Sequence, residues 1–72
     1  MDKEEKVILE YKAHGWKDGE RIAAFSSSEI ITVALAVDRY DLLPAIWSDP
    51  LEAYRSRLDD RQRAIVDSYR GW

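Results

Sequence analysis

The chain has 72 residues, a net charge of −3 and no cysteine. A single small domain of this size buries only about 60% of the surface its unfolded form exposes, and it has neither disulfides nor thiolate metal sites to supplement its core. The acidic balance argues against general nucleic-acid binding, where surplus Lys and Arg would neutralise phosphates.

His14 is the only histidine, so a bound metal is poorly provisioned and no cofactor is expected. Stability has to come from compact helix packing or from oligomerisation. The first residues carry Asp2, Glu4 and Glu5 with no apolar core behind them, unlike a secretory signal. The longest near-apolar run, Ile30 to Val37, is far shorter than the roughly 20 residues a membrane-spanning helix needs. The default location is the cytoplasm.

In chain order, the first helix is expected at about 3–14. Asp2 and Glu5 have capping-box spacing, and Val7, Ile8 and Tyr11 share a face. Lys6 and Glu10 are spaced for an i,i+4 pair. Gly15 stands where a left-handed stop residue is wanted, with Trp16 placed to pack back on Tyr11. Lys17-Asp18-Gly19-Glu20 is a turn signal, and Asp18 is positioned to cap a short helix through Arg21–Phe25.

Ser26 with Glu29 predicts a second capping box, opening a helix of about 28–40. That helix is apolar nearly all round, from Ile30 to Val37, and so has to be surrounded by other elements or by a second subunit. A short helix is expected near Asp41, with Pro44 in its first turn. Asp49-Pro50-Leu51-Glu52 is the clearest start signal, opening a helix of about 50–58 with Leu51, Tyr54 and Leu58 on one face. Asp59 and Gln62 open the last helix, about 60–70, with Ile65, Val66 and Tyr69 inward and Gly71 as its stop. The chain ends one residue later, as a complete small protein would.

These elements predict one all-α domain over 1–72, a compact bundle of four to five short helices with a dimer as one way to complete it. The alternative is α+β. Val7, Leu9, Tyr11 and Ala13 alternate, as do Ile31, Val33, Leu35 and Val37, and a hairpin across Lys17–Glu20 would join N-terminal strands. Recurrent capping signals favour helices.

No catalytic set emerges. Glu10 and His14 share one helix face as two metal ligands would, but they read more simply as a surface pair near a helix C-terminus. Ser26, Ser27 and Ser28 lack a nearby base and read as caps and turn formers. The adjacent acids Glu4/Glu5 and Asp59/Asp60 sit at helix starts, where they complement the macrodipole. Arg55, Arg57, Arg61, Arg63 and Arg70 concentrate basic charge late in the chain, but Glu52, Asp59, Asp60 and Asp67 interleave with them. The i,i+4 pairs Asp59–Arg63 and Arg63–Asp67 suggest a self-paired surface.

From Glu20 to Tyr40 the chain resembles a helix-turn-helix in outline. Arg21-Ile22-Ala23-Ala24 matches the motif's first helix, with Ala23 at its small packing position and Val33 ten residues on. The resemblance implies a DNA-binding transcriptional regulator. Two departures weigh against it. Ser26-Ser27-Ser28 replaces the motif's apolar-Gly-apolar turn, and the would-be recognition helix offers Ile, Val, Ala and Leu where base reading needs Arg, Lys, Asn or Gln.

The remaining signal is aromatic, because Trp and Tyr bury much area with few rotors and are enriched at binding hot spots. The sequence therefore predicts a non-enzymatic module that binds a protein partner as a regulator, inhibitor or adaptor, with homodimerisation a further option. Its candidate contact residues are Trp16, Tyr40, Trp47, Tyr54, Arg55, Arg61 and Trp72. Compact acidic proteins of this kind are common among phage and bacterial accessory regulators. The helix-turn-helix regulator is the alternative.

Overall fold

The structure, a computed structural model, describes residues 2–15, 19–43 and 49–72. Trp16, Asp18, Pro44 and Trp47 lie outside the described residues, and so do the contacts predicted for them. Four α-helices are present among the described residues: α1 (Lys3–His14), α2 (Ser27–Ala36), α3 (Pro50–Arg57) and α4 (Asp60–Arg70). Short 3-10 turns at Gly19–Ile22 and Tyr40–Leu42 punctuate the connections. No strand occurs among the described residues, so the N-terminal hairpin of the α+β alternative is not formed. No helix among them is long and apolar enough to cross a membrane.

Local chemistry accounts for most helix starts. The Ser26 hydroxyl accepts the Glu29 N–H, while the Ser26 N–H donates to the Glu29 carboxylate at 2.8 Å, closing the expected box. Asp59 and Gln62 repeat this arrangement at α4. Asp49 accepts the Leu51 N–H at 3.0 Å ahead of Pro50. The box predicted at Asp2 and Glu5 does not form. Asp2 caps α1 by backbone position alone, and its carboxylate turns instead to Arg61 at 3.1 Å.

Helix ends depart further from expectation. Gly15 does adopt positive φ, but with ψ 173° the chain leaves α1 extended rather than closing a left-handed turn. The second helix stops at Ala36, not near residue 40. Asp38 takes the left-handed conformation, with φ 60°. Its N–H then reaches the Leu35 carbonyl at 3.3 Å, and the Arg39 N–H reaches Ala34 at 2.9 Å. That pattern is a Schellman ending with Asp in the position Gly usually fills. The segment expected to form a helix through Arg21–Phe25 contracts to the single 3-10 turn.

The all-round apolar character of α2 has a direct explanation. Val33, Ala36 and Val37 join Val7, Ile8, Ile22 and Ile65 in one buried cluster. Ile31 and Leu35 point the other way, into a second cluster with Ala53, Leu58 and Val66. Thr32 is buried too, and its hydroxyl donates to the Ser28 carbonyl at 2.8 Å, so no polar group is stranded. The principal contacts between described elements all involve α2. It is enclosed by its own chain, and its apolar surplus needs no second subunit to cover it. On α3 the inward residue is Ala53, whereas Leu51 is exposed and not part of the expected buried face.

Candidate functional site

α4 runs alongside α2 in the same sense, which sets up two polar clusters, one at each end. At the shared start, Glu4 from α1 is fully buried. Arg61 donates to both of its carboxylate oxygens, at 3.2 and 2.9 Å, and the Gln62 amide adds a third bond at 3.3 Å. Gln62 also reaches the Ser28 hydroxyl at 3.3 Å, and Lys3 pairs with Glu29 at 3.0 Å. Burial pushes the Glu4 pKa up, but the bonds from Arg61, the backbone and Gln62 more than offset it and hold the carboxyl below its ordinary value. The Glu4 side chain is 2% exposed and that of Arg61 46%, so a guanidinium at the surface reaches a covered carboxylate, and the cluster ties α1, α2 and α4 together.

The other end is open. Arg70, in the last turn of α4, donates at 2.9 Å to the Leu35 carbonyl, which also accepts the Asp38 N–H at the end of α2. The guanidinium lies between two rings, 5.8 Å from the centre of Tyr40 and 5.1 Å from that of Trp72, and pairs with Asp38 at 3.3 Å. Gly71, left-handed at φ 73°, turns the chain so that Trp72 follows. Trp72 then meets Tyr54 of α3 edge to face, with centroids 5.3 Å apart. The Tyr54 hydroxyl donates to Asp67, and that carboxylate raises the phenol above its ordinary pKa. The result is a surface cluster of Tyr40, Arg70, Trp72 and Tyr54, in which Tyr40 and Trp72 are exposed.

The predicted contact residues therefore separate. Tyr40, Tyr54 and Trp72 come together. Arg61 belongs to the Glu4 cluster at the opposite end of α4, and Arg55 is exposed on α3. Trp16 and Trp47 lie outside the described residues. Sequence reasoning did not select Arg70, Asp38 or Asp67, whose importance depends on contacts between elements distant in the chain. One local signal existed for Asp38, since Asp tolerates the left-handed region better than most residues.

The remaining candidates are engaged elsewhere. Glu10 takes two bonds from Arg21, at 2.6 and 2.9 Å, rather than pairing with Lys6, and Arg21 lowers its pKa. Among the described residues no group of three His, Cys, Asp or Glu side chains is placed to hold a metal ion. Arg63 bonds Asp60 and the Leu58 carbonyl, each at 2.6 Å, instead of the predicted Asp59 and Asp67. Those two acids are used by the α4 cap and by Tyr54. The helix matched to a recognition helix is α2, whose residues Ile31 to Ala36 are buried, so that only its first turn reaches the surface.

The fold defines a small all-α bundle whose described surface carries one arginine-centred aromatic cluster. The chain matches no family model, no curated protein and no solved structure in these comparisons.

Proposed function

We propose that the chain is a non-enzymatic module that binds a protein partner through the Tyr40–Arg70–Trp72–Tyr54 cluster and acts as a regulator, inhibitor or adaptor. The observation that carries this reading is the cation–π contact of Arg70 with both Tyr40 and Trp72, each of which is exposed. Trp, Tyr and Arg are the residue types that dominate interface energetics. Here they are held in place by packing before any partner arrives, which lowers the ordering cost of binding.

The test is affinity capture from cell extract with mass spectrometry, comparing the native chain with Tyr40→Ala, Trp72→Ala and Leu9→Ala. Leu9 is an exposed apolar residue of α1 and serves as the control. A protein retained by the native chain and by Leu9→Ala, but held at least about tenfold more weakly by the other two variants, supports the reading; that loss corresponds to about 1.4 kcal/mol. Capture unaffected by Tyr40→Ala and Trp72→Ala overturns it. Binding to random duplex at low salt would favour the helix-turn-helix alternative instead.

A further inference from the structure

The charges around Tyr40 are layered. In the Arg70–Asp38 pair the arginine side chain is 23% exposed and the acid 67%. In the Arg39–Asp41 pair the values are 26% and 62%. Both guanidiniums lie against rings: Arg70 between Tyr40 and Trp72, and Arg39 at 5.9 Å from the Tyr11 centroid. Both carboxylates project outward.

Asp41 accepts two bonds from Arg39, at 2.9 and 2.8 Å, and this lowers its pKa and keeps it ionised. A carboxylate offers about four lone-pair sites, so two bonds leave room for more. What meets an incoming molecule is therefore ring and carboxylate, with the cations set beneath.

We propose that this surface docks a positively charged segment of a partner protein, whose Lys or Arg side chains lie against Tyr40 and Trp72 and pair with Asp38 and Asp41. The inference rests on the partner-binding reading above and adds the chemistry of the partner. A cation gains from the ring faces and from the acids together. An uncharged apolar partner would strip water from two carboxylates without replacing it, and an acidic one would meet these outer carboxylates ahead of the guanidiniums paired with them. The chain's net charge of −3 steers the same class of partner over longer range.

The probe is a short capped peptide of alternating glycine and arginine, titrated into the isotope-labelled full chain and followed by NMR, with a glycine–glutamate peptide alongside. Saturable shifts centred on Tyr40 and the Trp72 indole are expected with the basic peptide only. The double variant Asp38→Asn/Asp41→Asn keeps the side-chain shapes, and Asn also tolerates the left-handed backbone. It should bind about tenfold more weakly. Asp60→Asn removes a charge at the far end of α4 and should stay within about twofold.

Absence of saturable shifts, equal response to the acidic peptide, or equal weakening by Asp60→Asn overturns the inference. A captured protein that depends on Trp72 but contacts it through an acidic or uncharged segment also overturns it, while leaving the partner-binding reading intact. Capture indifferent to Trp72 removes that reading as well.

Discussion

The two ends of α4 use the same residue type in opposite ways. At its start, Arg61 stands partly in solvent and reaches inward to the buried Glu4. At its end, Arg70 is the covered partner and Asp38 the exposed one. Which member of the pair is buried decides what the arginine does. A carboxylate removed from water has to be matched, so Arg61 and Glu4 become mutually dependent parts of the fold. A carboxylate left in water needs no match, so Arg70 is held by the Leu35 carbonyl and two rings, and its acid stays available.

This contrast can be broken at several points. The largest effect is expected from Arg61→Ala, which leaves Glu4 buried with Gln62 as its remaining side-chain donor. Urea unfolding should show a loss of about 2–3 kcal/mol, and a loss below about 1 kcal/mol would mean that water reaches Glu4 freely. Acid should act on the same cluster more gently, because a protonated Glu4 still accepts hydrogen bonds. Its pKa is lower in the folded chain than its ordinary value of 4.5. Its contribution is therefore complete above that value and is lost as pH falls through the folded-state one. The non-titrating Glu4→Gln variant should show a shallower decline over that range when unfolding is followed as a function of pH.

At the other end, Arg70→Ala should cost about 1 kcal/mol, the worth of one hydrogen bond and its ring contacts, since Asp38 remains hydrated. Asp38→Asn should change stability by less than about 0.5 kcal/mol, whereas Asp38→Ala should cost about 1 kcal/mol for placing alanine at positive φ. Thermal melts of the two variants side by side check this difference. Equal effects would mean that the charge, not the backbone, is what Asp38 supplies.

Much of the fold was legible because it is written locally. The starts of α3 and α4 follow from caps a few residues away, Gly15 and Gly71 mark the ends of α1 and α4, and the apolar run of α2 correctly indicated an enclosed centre. Three of the failures have clear physical causes. The end of α2 was placed late because its left-handed residue is Asp38 rather than Gly. On the face read for α3, Leu58 is buried and Tyr54 packs against the same cluster, but Leu51 is exposed and Ala53 is the residue buried within the helix. The polar pairs were misassigned because local spacing suggested Arg63–Asp67 and Lys6–Glu10, and tertiary geometry offered Tyr54 and Arg21 instead. The site was legible only as residue types. Tyr40, Tyr54 and Trp72 were named, but their convergence on Arg70 joins three parts of the chain that no motif links.

The central position of α2 also has a consequence for how the molecule opens. Because the principal packing of every described helix runs through it, its amides cannot lose protection while the rest stays assembled. Their hydrogen exchange should report the free energy of global unfolding. The eight-residue α3, with Ala53 as its one buried residue, can detach at lower cost and exchange first. Tyr54 rides on α3 and braces Trp72, so the aromatic cluster sits at the border between the slowest and the fastest exchanging parts of the chain. A bound partner that holds Trp72 in place would slow exchange in α3 before it changed anything in α2.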